Sequence, residues 1–495
     1  MNKTDEINNI ATKRGFFFPT AEIYNAKAGF WTYGHLGKLM RSKFENLWLK
    51  HFLSLDDNYW EIDGSYILPQ KVFEASGHLE NFKDPLTGCK KCHFRFRADE
   101  LIEDNTKEKA EGLDEKELTK LIKKHKLKCP KCKGELEDVK FFNMMFELKL
   151  GATGQDSVYL APETAQNPFI SFKREFEALR RKLPMGLAMI GRSFRNEISP
   201  RQGFFRLREF NQAELQIFFD PVEVNKHKDW DSVKDYKLIV SFDGKKEKEV
   251  KASELIKKKI PKFYIYHLVK IQEFYLEKLK IPKKKFRFRQ LNEKEKAFYN
   301  KVHFDIEIDM DTLGGFKEVA GLHYRADHDL KGHEKVSGEK FTVQVGDKKI
   351  MPHVLELSFG IDRNIWAMMD VFFKKEKNRD LFLFPFSVCP IEAAVFPLVK
   401  KDKLPEKAEQ IYHMLNKVFI TIYDKSGSIG KMYRRVDEIG CPAMITVDHQ
   451  TLKDDTVTLR NRDDMKQIRV KIEELPATLV KLYTGTDLKD LGKIL

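Results

Sequence analysis

The stretch from Gly191 to Pro221, GRSFRNEISPRQGFFRLREFNQAELQIFFDP, concentrates the residue types best suited to chemistry. Two extended arms flank the turn-forming ISPRQG, which predicts a long β-hairpin with a polar loop. Because side chains alternate along a strand, Arg195 and Glu197 should lie together. On the return arm, one face should carry Arg206, Arg208, Phe210, Gln212 and Glu214, and the other Leu207, Ala213, Leu215 and Ile217.

A row of guanidinium groups, an aromatic ring and a carboxylate favours a nucleotide site. Arginine forks match phosphate oxygens, and a ring between them offers a base a surface on which to stack. A solvated strand would explain the charges but not this order of residue types. Neither GxxxxGK[ST] nor GxGxxG occurs as a credible strand-to-helix element. The sequence therefore predicts a nucleotide cradle built on an antiparallel sheet.

Four of the six cysteines form two CxxC pairs, CKKC and CPKC. These are Cys89, Cys92, Cys129 and Cys132. Each pair can present two thiolates to one ion, so we expect a structural Cys₄ zinc site with no open position for catalysis. The alternatives are two unliganded pairs or a redox motif. Cys389 and Cys441 stand alone and are expected to be small buried hydrophobic residues.

The elements that must position these groups can be read from periodicity. Residues 34–52 carry apolar side chains at helical spacing, which predicts an amphipathic helix: Leu36, Met40, Phe44, Leu47 and Trp48. YWEIDGSYILP reads as a strand ending at Pro69, and FFNMMFELKL as another strand-like run. The Lys-rich segment 222–282 is expected to be an insertion with one helix, 264–279. Beyond residues 381–390, short β-like and helix-like runs alternate, which indicates a separate α/β domain.

Composition narrows the class of protein. With 42% hydrophobic and 33% charged residues, the chain reads as globular, and no stretch approaches the roughly 20 apolar residues of a membrane helix. The start, MNKTDEINNIATKRG, has no apolar signal region, so we expect a cytoplasmic protein. A net charge of +14 favours a polyanionic partner, although lysine-rich solvated helices would give the same balance.

Several motifs resemble one enzyme family. SFRNEIS with FRLREF matches motif 2 of class II aminoacyl-tRNA synthetases, and HVLELSFGIDR resembles motif 3. PETAQ, ASGH, FRAD and SGSIGKMYRRVDEIG are similar to the glycyl-tRNA synthetase subfamily of the archaeal and eukaryotic type. The resemblance implies an α+β fold: a class II antiparallel catalytic domain over 1–383, with a zinc-binding insertion at about 85–140 and a second at about 222–300, and an α/β anticodon-binding domain over 384–495.

The family also implies roles for single residues. Arg195 would bind the α-phosphate of ATP, Glu197 would read adenine, Phe210 would stack on it, and Arg363 would cover its other face; Arg195, Glu197 and Arg363 would be the catalytic set. Glu318 would lie near Mg²⁺ bound to the triphosphate. The full ATP set is Arg195, Asn196, Glu197, Phe205, Arg206, Phe210, Glu318, Val319, Gly360 and Arg363.

A pocket for glycine must hold the ammonium group with carboxylates and exclude larger substrates by filling space. By resemblance, the glycine set is Arg97, Glu163, Phe210, Glu214, Glu356 and Ser358. Glu356 and Ser358 are two residues apart on an expected strand and should share a face. The implied reaction is ATP-dependent activation of glycine and its transfer to tRNA(Gly) by a homodimer. Anticodon contacts would come from Lys431, Arg434, Arg435, Arg460 and Arg462.

Three positions depart from the family pattern: Ala161 stands where arginine usually precedes PETAQ, Leu357 replaces a proline of motif 3, and His35 replaces a proline of motif 1. Other interpretations remain open. One is an inactive paralogue that binds RNA, which predicts loss of Arg195, Glu197 or Arg363. A second is a class II enzyme for serine, threonine or proline, and a third is a non-enzymatic zinc-ribbon RNA binder.

Overall fold

The structure is a computed structural model. It describes residues 2–495 except 26, 111, 153, 199, 201, 202, 243 and 293–299. Within this part of the chain, a nine-stranded sheet forms the larger unit and a five-stranded sheet the smaller. In spatial order, the strands of the large sheet are Lys248–Lys251, Lys237–Phe242, Phe286–Gln290, Val302–Met310, Gly315–Ala326, His353–Gly360, Glu209–Phe219, Met185–Phe194 and Tyr59–Glu61.

Neighbouring strands of the large sheet run antiparallel, apart from two parallel pairings near its edges. The surrounding helices are Lys3–Arg14, His35–Leu53, Gln70–Ala75, His78–Asn81, Ala98–Asn105, Glu115–Lys124, Gln166–Ala178, Trp230–Val233, Lys262–Glu273, His328–Ser337 and Ile361–Phe372. One face of this sheet packs against the main apolar core, and the other carries a cavity beside a second cluster formed with helices Gln166–Ala178 and His328–Ser337. The predicted α+β class is confirmed.

Smaller strand groups complete the larger unit. Three strands around the cysteines, Lys83–Gly88, Arg95–Arg97 and Lys140–Asn143, form one sheet, and Ile67–Pro69, Phe146–Leu150 and Asp156–Leu160 form another. The two-stranded pairs are Phe17–Pro19 with Trp31–Tyr33, Val343–Val345 with Lys348–Ile350, and Phe373–Lys375 with Asp380–Phe382. Both predicted runs, YWEIDGSYILP and FFNMMFELKL, are therefore divided between two sheets, because short breaks redirect the chain inside each run.

The predicted amphipathic helix is confirmed as His35–Leu53. Its apolar stripe is fully buried, apart from the half-buried Leu47. The rings of Trp48 and Phe52 contact Phe359, with centroids 5.9 and 5.2 Å away. The helix thus supports the strand His353–Gly360 from the side opposite the cavity.

The segment expected to be a second insertion extends the large sheet. Its strands Lys237–Phe242, Lys248–Lys251 and Phe286–Gln290 form the far edge, and the buried Leu238 and Val240 join the main core. The predicted helix is present as Lys262–Glu273 and continues as a π-helical turn over Phe274–Lys278. Residues 243 and 293–299 of the predicted range lie outside the described residues.

The predicted C-terminal α/β unit is confirmed. Its strands, in spatial order, are Thr421–Tyr423, Ala393–Pro397, Ala443–Val447, Thr456–Asn461 and Gln467–Lys471. The first three are parallel and the last two antiparallel to their neighbours. Helices Leu404–Leu415, Ile429–Asp437, Thr451–Asp454, Leu475–Tyr483 and Leu488–Leu491 accompany a separate apolar core.

The three departures from the family pattern occupy ordinary structural positions. Ala161 is buried in an apolar cluster with Leu68 and Phe73. Leu357 is fully buried on the core side of its strand. His35 is the first residue of its helix, where its ring lies against the backbone of Gly15. Each position is therefore accommodated by local packing.

Candidate active site

A cavity of about 200 Å³ lies on the face of the large sheet opposite its main apolar core. Thirteen of the predicted site residues line it: Glu163, Arg195, Glu197, Phe205, Arg206, Phe210, Glu214, Glu318, Val319, Glu356, Ser358, Gly360 and Arg363. They come from segments far apart in sequence, and the sheet brings them together. Asn196 lies outside this lining, and its backbone N–H donates to the carbonyl of Met144 at 2.7 Å.

The predicted hairpin is present, but its ladder is shorter at the tip than expected. Strands Met185–Phe194 and Glu209–Phe219 pair up to Phe194 and Glu209. Beyond this point the chain forms a connection that includes a 3₁₀ turn, Gly203–Phe205. Three residues of the predicted ISPRQG turn, 199, 201 and 202, lie outside the described residues.

Alternation therefore holds on the strand and fails before it. Phe210 and Glu214 face the cavity as predicted, whereas Arg208 does not. Its Nε and Nη2 donate to the carbonyl of Glu197 at 3.0 and 2.8 Å, which fixes the connection. Leu207, predicted for the core face, lines the cavity instead. The prediction was wrong at these two positions because they precede the paired strand, where no ladder imposes a period of two.

Arg195 is held over the ring expected to carry a base. Its Nε donates to the carbonyl of Pro162 at 3.1 Å. The guanidinium lies 5.1 Å from the ring centroid of Phe210 and 5.4 Å from that of Phe82, within cation–π range. The side chain thus presents a fixed cation at the ring's face, where a phosphate could meet it.

Arg206 and Glu197 form an ion pair at the cavity wall, with Nη2 2.7 Å from Oε2. A second carboxylate, Glu100, lies 2.7 Å from Nη1 of Arg206. Arg97, predicted to face the substrate, lies outside the cavity lining, where its Nη2 is 2.5 Å from Asp99. Asp84 also lies 3.4 Å from Nη1 of Arg97, and the role of Arg97 in glycine binding stays a prediction.

Arg363 occupies the first turn of helix Ile361–Phe372, which Gly360 opens as predicted. Its guanidinium lies 5.1 Å from the ring centroid of Phe205. Its Nη1 pairs with Glu318 at 3.0 Å. The cavity thus has arginines at two ends, each beside an aromatic ring.

Three carboxylates lie at the inner end of the cavity. Glu214 accepts hydrogen bonds from Ser358 Oγ at 2.7 Å and from Thr164 Oγ1 at 2.9 Å. Burial raises the pKa of Glu214 to about 8, and the charges of Glu356 and Glu163 add to the effect. Without a cationic ligand, Glu214 is therefore largely protonated at neutral pH.

The other two carboxylates have cationic neighbours. Burial alone would raise the pKa of Glu163, but His78 and Arg325 hold it well below its usual range. Glu356 accepts hydrogen bonds from Gln216 at 2.8 Å and from Arg325 at 3.0 Å. Burial raises the pKa of Glu356, with Arg325 opposing the shift. The pocket thus combines one firmly ionised carboxylate with two that a bound ammonium group would help to ionise.

Sequence reasoning missed several lining residues. Arg325 is 2% exposed and binds Asp329 through two contacts of 2.7 Å as well as Glu356. His323 lies two residues earlier on the same strand face. Asp362 anchors the base of the cavity by accepting hydrogen bonds from Tyr33 and from the backbone N–H of Asn211. The alternation of Gly321, His323 and Arg325 along one strand could have indicated that these residues share a face.

The four clustered cysteines fit a single metal ion. Their sulfurs all lie within 4.8 Å of one another, with Cys89 to Cys132 at 3.5 Å and Cys92 to Cys129 at 3.7 Å. A tetrahedral site with zinc–sulfur bonds of about 2.3 Å separates sulfurs by roughly 3.8 Å. The donor set and spacing therefore match zinc. Cys389 and Cys441 are buried, as predicted.

The predicted RNA-contacting residues fall into two groups. Lys431 and Arg434 are exposed on helix Ile429–Asp437, and Arg435 beside them pairs with Asp424 at 2.5 Å. Arg460 and Arg462 are each 4% exposed. The prediction that these two arginines contact RNA was wrong, because both side chains are bound inside the protein. Arg460 pairs with the buried Asp437 at 3.1 Å, and Arg462 donates to backbone carbonyls. Arg460 points inward from strand Thr456–Asn461, and Arg462 follows the end of that strand.

Among the described residues, no helix has the length and apolar character needed to cross a membrane.

An antiparallel sheet with a cavity lined by arginines, rings and glutamates, joined to a smaller α/β unit, defines a class II aminoacyl-tRNA synthetase. Residues 146–372 match the family described as tRNA synthetase class II core domain (G, H, P, S and T). Residues 392–482 match the anticodon binding domain. Both assignments agree with the motif resemblance.

Similar proteins of known name identify the member of this class to which the chain is related. The glycine–tRNA ligases of Thermococcus gammatolerans and Pyrococcus furiosus are each 38% identical, over 98% of this chain and 99% and 100% of theirs. That of Methanothermobacter thermautotrophicus is 37% identical over 96% of this chain and 98% of its own. This chain belongs to the glycine–tRNA ligase family.

Proposed function

We propose that this chain activates glycine with ATP and transfers it to tRNA(Gly). The observation that carries the proposal is the adjacency of two subsites in one cavity. One offers Arg195 and Arg206 around Phe210, and the other offers the carboxylates of Glu163 and Glu214. A bent nucleotide fits the first and a small ammonium compound the second, so the two substrates would meet at one phosphate.

In the first step, a carboxylate oxygen of glycine attacks the α-phosphorus of ATP, and the bond to the bridging oxygen of the β-phosphate breaks. The products are glycyl-adenylate and pyrophosphate. Arg195 stabilises charge on the α-phosphate, a positioning and electrostatic task without a covalent nucleophile. Phe210 stacks on adenine, Glu197 accepts from its amino group, and Arg363 covers its other face and the γ-phosphate.

Arg206 would bind the distal phosphates of ATP after its ion pair with Glu100 breaks. In the structure it contacts Glu197 and Glu100, each at 2.7 Å. A triphosphate would compete with Glu100 for this guanidinium, because phosphate oxygens offer the same bidentate geometry. Mg²⁺ arriving with ATP would neutralise the triphosphate, and Glu318 at the cavity mouth is the carboxylate suited to hold it.

In the second step, a hydroxyl of the terminal ribose of tRNA attacks the glycyl carbonyl and AMP leaves. Lys431, Arg434 and Arg435 would contact the anticodon end of the tRNA, since helix Ile429–Asp437 presents positive charge to solvent. The cysteine cluster would hold Zn²⁺ in a structural role, because four thiolates leave no open coordination position.

We further propose that the chain acts as a cytoplasmic homodimer. Motif 1 resemblance assigns the region around helix His35–Leu53 to the interface. In support, Trp60 on the adjacent edge strand is 51% exposed, an apolar surface that a second copy could cover. Sedimentation analysis of the purified protein tests this part, and a monomer at micromolar concentration would contradict it.

Exchange of labelled pyrophosphate into ATP across a panel of amino acids tests the main proposal. Exchange should depend on glycine and be weak with alanine, serine, threonine and proline. Exchange that depends on one of the other amino acids would assign the chain a different substrate. No exchange with any amino acid would favour an inactive paralogue, although Arg195, Glu197 and Arg363 are all present.

A further inference from the structure

Two rows of side chains cross the sheet at the inner end of the cavity. Register aligns Glu214 with Ser358 and Ser358 with Gly321 in the first row. The second row, two residues along each strand, aligns Glu356 with His323. Residues two apart on a strand point to the same face, so both rows face the cavity.

The imidazole of His323 leans from the second row into the first. A Cβ atom placed on Gly321 would lie 2.3 Å from Nε2 of His323 and 3.0 Å from Cε1. The ring therefore fills the space that a side chain at position 321 would need. Because Gly321 has no side chain, the ring reaches the row that holds Ser358 and Glu214.

The ring is held in this position from several sides. Its centroid lies 4.1 Å from that of His303, whose Nε2 is 3.1 Å from Asp305. Asn300 Nδ2 lies 3.2 Å from Nδ1 of His323, and Glu356 Oε1 lies 3.7 Å from Nε2. These three neighbours, a second ring, an amide and a carboxylate, fix the position of the His323 ring.

We infer that His323 is a specificity-determining residue whose ring closes the amino-acid pocket against any substrate with a side chain. The inference rests on the proposed glycine site, in which Glu163 and Glu214 hold the ammonium group. An α-carbon held there faces the floor made by Gly321 and the His323 ring. Alanine and serine are excluded because the volume of their Cβ is already occupied.

The direct test is His323→Ala, assayed by pyrophosphate exchange with glycine, alanine and serine. Removing the ring opens space, so kcat/KM for alanine relative to glycine should rise by at least about tenfold, the scale on which one methylene is discriminated. His323→Phe keeps a ring in this space and should not raise the alanine-to-glycine ratio. His353→Ala is the matched control, since His353 is a half-buried histidine on the neighbouring strand outside the cavity lining.

A second variant tests the same contact from the other side. Gly321→Ala should displace the ring toward the substrate and raise KM for glycine by about tenfold or more, because its methyl group would lie 2.3 Å from Nε2. In the double variant Gly321→Ala/His323→Ala, the methyl group finds room. The double variant should recover glycine binding relative to Gly321→Ala and discriminate against alanine better than His323→Ala, a non-additive result.

The outcomes separate this inference from the proposed function. Wild-type protein without glycine-dependent exchange would overturn the proposed function itself. Wild-type exchange with glycine, together with a His323→Ala protein that keeps the wild-type alanine-to-glycine ratio, would overturn the role of His323 alone. If His323→Ala does not fold, Gly321→Ala decides, and an unchanged KM for glycine in that variant would refute the inference.

Discussion

The hydroxyl of Ser358 donates a 2.7 Å hydrogen bond to Oε1 of Glu214 across two neighbouring strands. The two residues are 144 positions apart in sequence, and the sheet register alone brings them together. This bond orients a carboxyl group whose pKa burial raises to about 8. The amino-acid subsite is thus built around a group that changes charge when a cation binds.

Glycine binding should release a proton near neutral pH. The bound ammonium group favours the ionised form of Glu214 and so lowers its pKa from about 8. Affinity for glycine should rise as pH increases from 6.5 to 8, by at most about tenfold per pH unit for one proton. Titration calorimetry in buffers of different ionisation enthalpy measures the released proton. Glu214→Gln should abolish the release, and a pH-independent affinity in the wild type would contradict the linkage.

The same group should make folding stability depend on pH. Folding raises the pKa of Glu214 from 4.5 to about 8, so its contribution is fully present below pH 4.5 and is lost as pH rises through 8. Glu214→Gln has no such loss. The Tm of the variant minus the Tm of the wild type should therefore increase from pH 6 to pH 9, as measured by thermal unfolding without glycine. A constant difference in Tm would argue against a shifted pKa.

Arg195→Ala should lower pyrophosphate exchange by at least about 100-fold, the scale of losing one transition-state donor. The guanidinium beside Phe210 is the cation aimed at the α-phosphate in our account. Arg192→Ala provides the control, because Arg192 lies on the strand that ends just before Arg195, is 58% exposed at its side chain and pairs with Glu209. Near-normal exchange in a folded Arg195→Ala protein would refute the assignment.

Zinc content should be about one ion per chain, because four cysteine sulfurs lie at tetrahedral spacing. Cys129→Ser should lose the ion and lower Tm, as measured by elemental analysis and thermal unfolding. Cys389→Ala should keep the ion, since this cysteine lies outside the cluster. Full metal content and unchanged Tm in Cys129→Ser would exclude the Cys₄ site.

Removing positive charge from helix Ile429–Asp437 should weaken tRNA binding and leave adenylate formation unchanged. Lys431→Ala/Arg434→Ala should raise KM for tRNA(Gly) in aminoacylation, most strongly at low salt, and leave pyrophosphate exchange unchanged. Lys453→Ala, an exposed lysine elsewhere in the same unit, should have little effect. An equal loss in both variants would indicate general electrostatics instead of a defined contact.

The success of sequence reasoning followed the extent of regular structure. Phe210 and Glu214 were placed correctly because they lie on a paired strand, where alternation decides the face. Arg208 was misplaced because it precedes the ladder. Arg460 was predicted on the surface for a different reason. Its strand is regular, but the sequence does not show that the buried Asp437 pairs with it in the interior.

Residues without a family motif were not found in advance. Arg325 and His323 lie on strand Gly315–Ala326, and only the tertiary register shows that they face Glu356. Arg97 shows a different limit, since its motif was recognised but the motif could not show that Asp99 and Asp84 lie beside its guanidinium. Motifs identify the chemistry, whereas local ion pairs determine which charges remain available to it.

A crystal structure with glycine and a non-hydrolysable ATP analogue tests the central claim most directly. We expect adenine on the ring of Phe210, the α-phosphate at Arg195, and the ammonium group of glycine between Glu163 and Glu214. A nucleotide bound elsewhere, with Arg195 and Phe210 left uncontacted, would contradict the account.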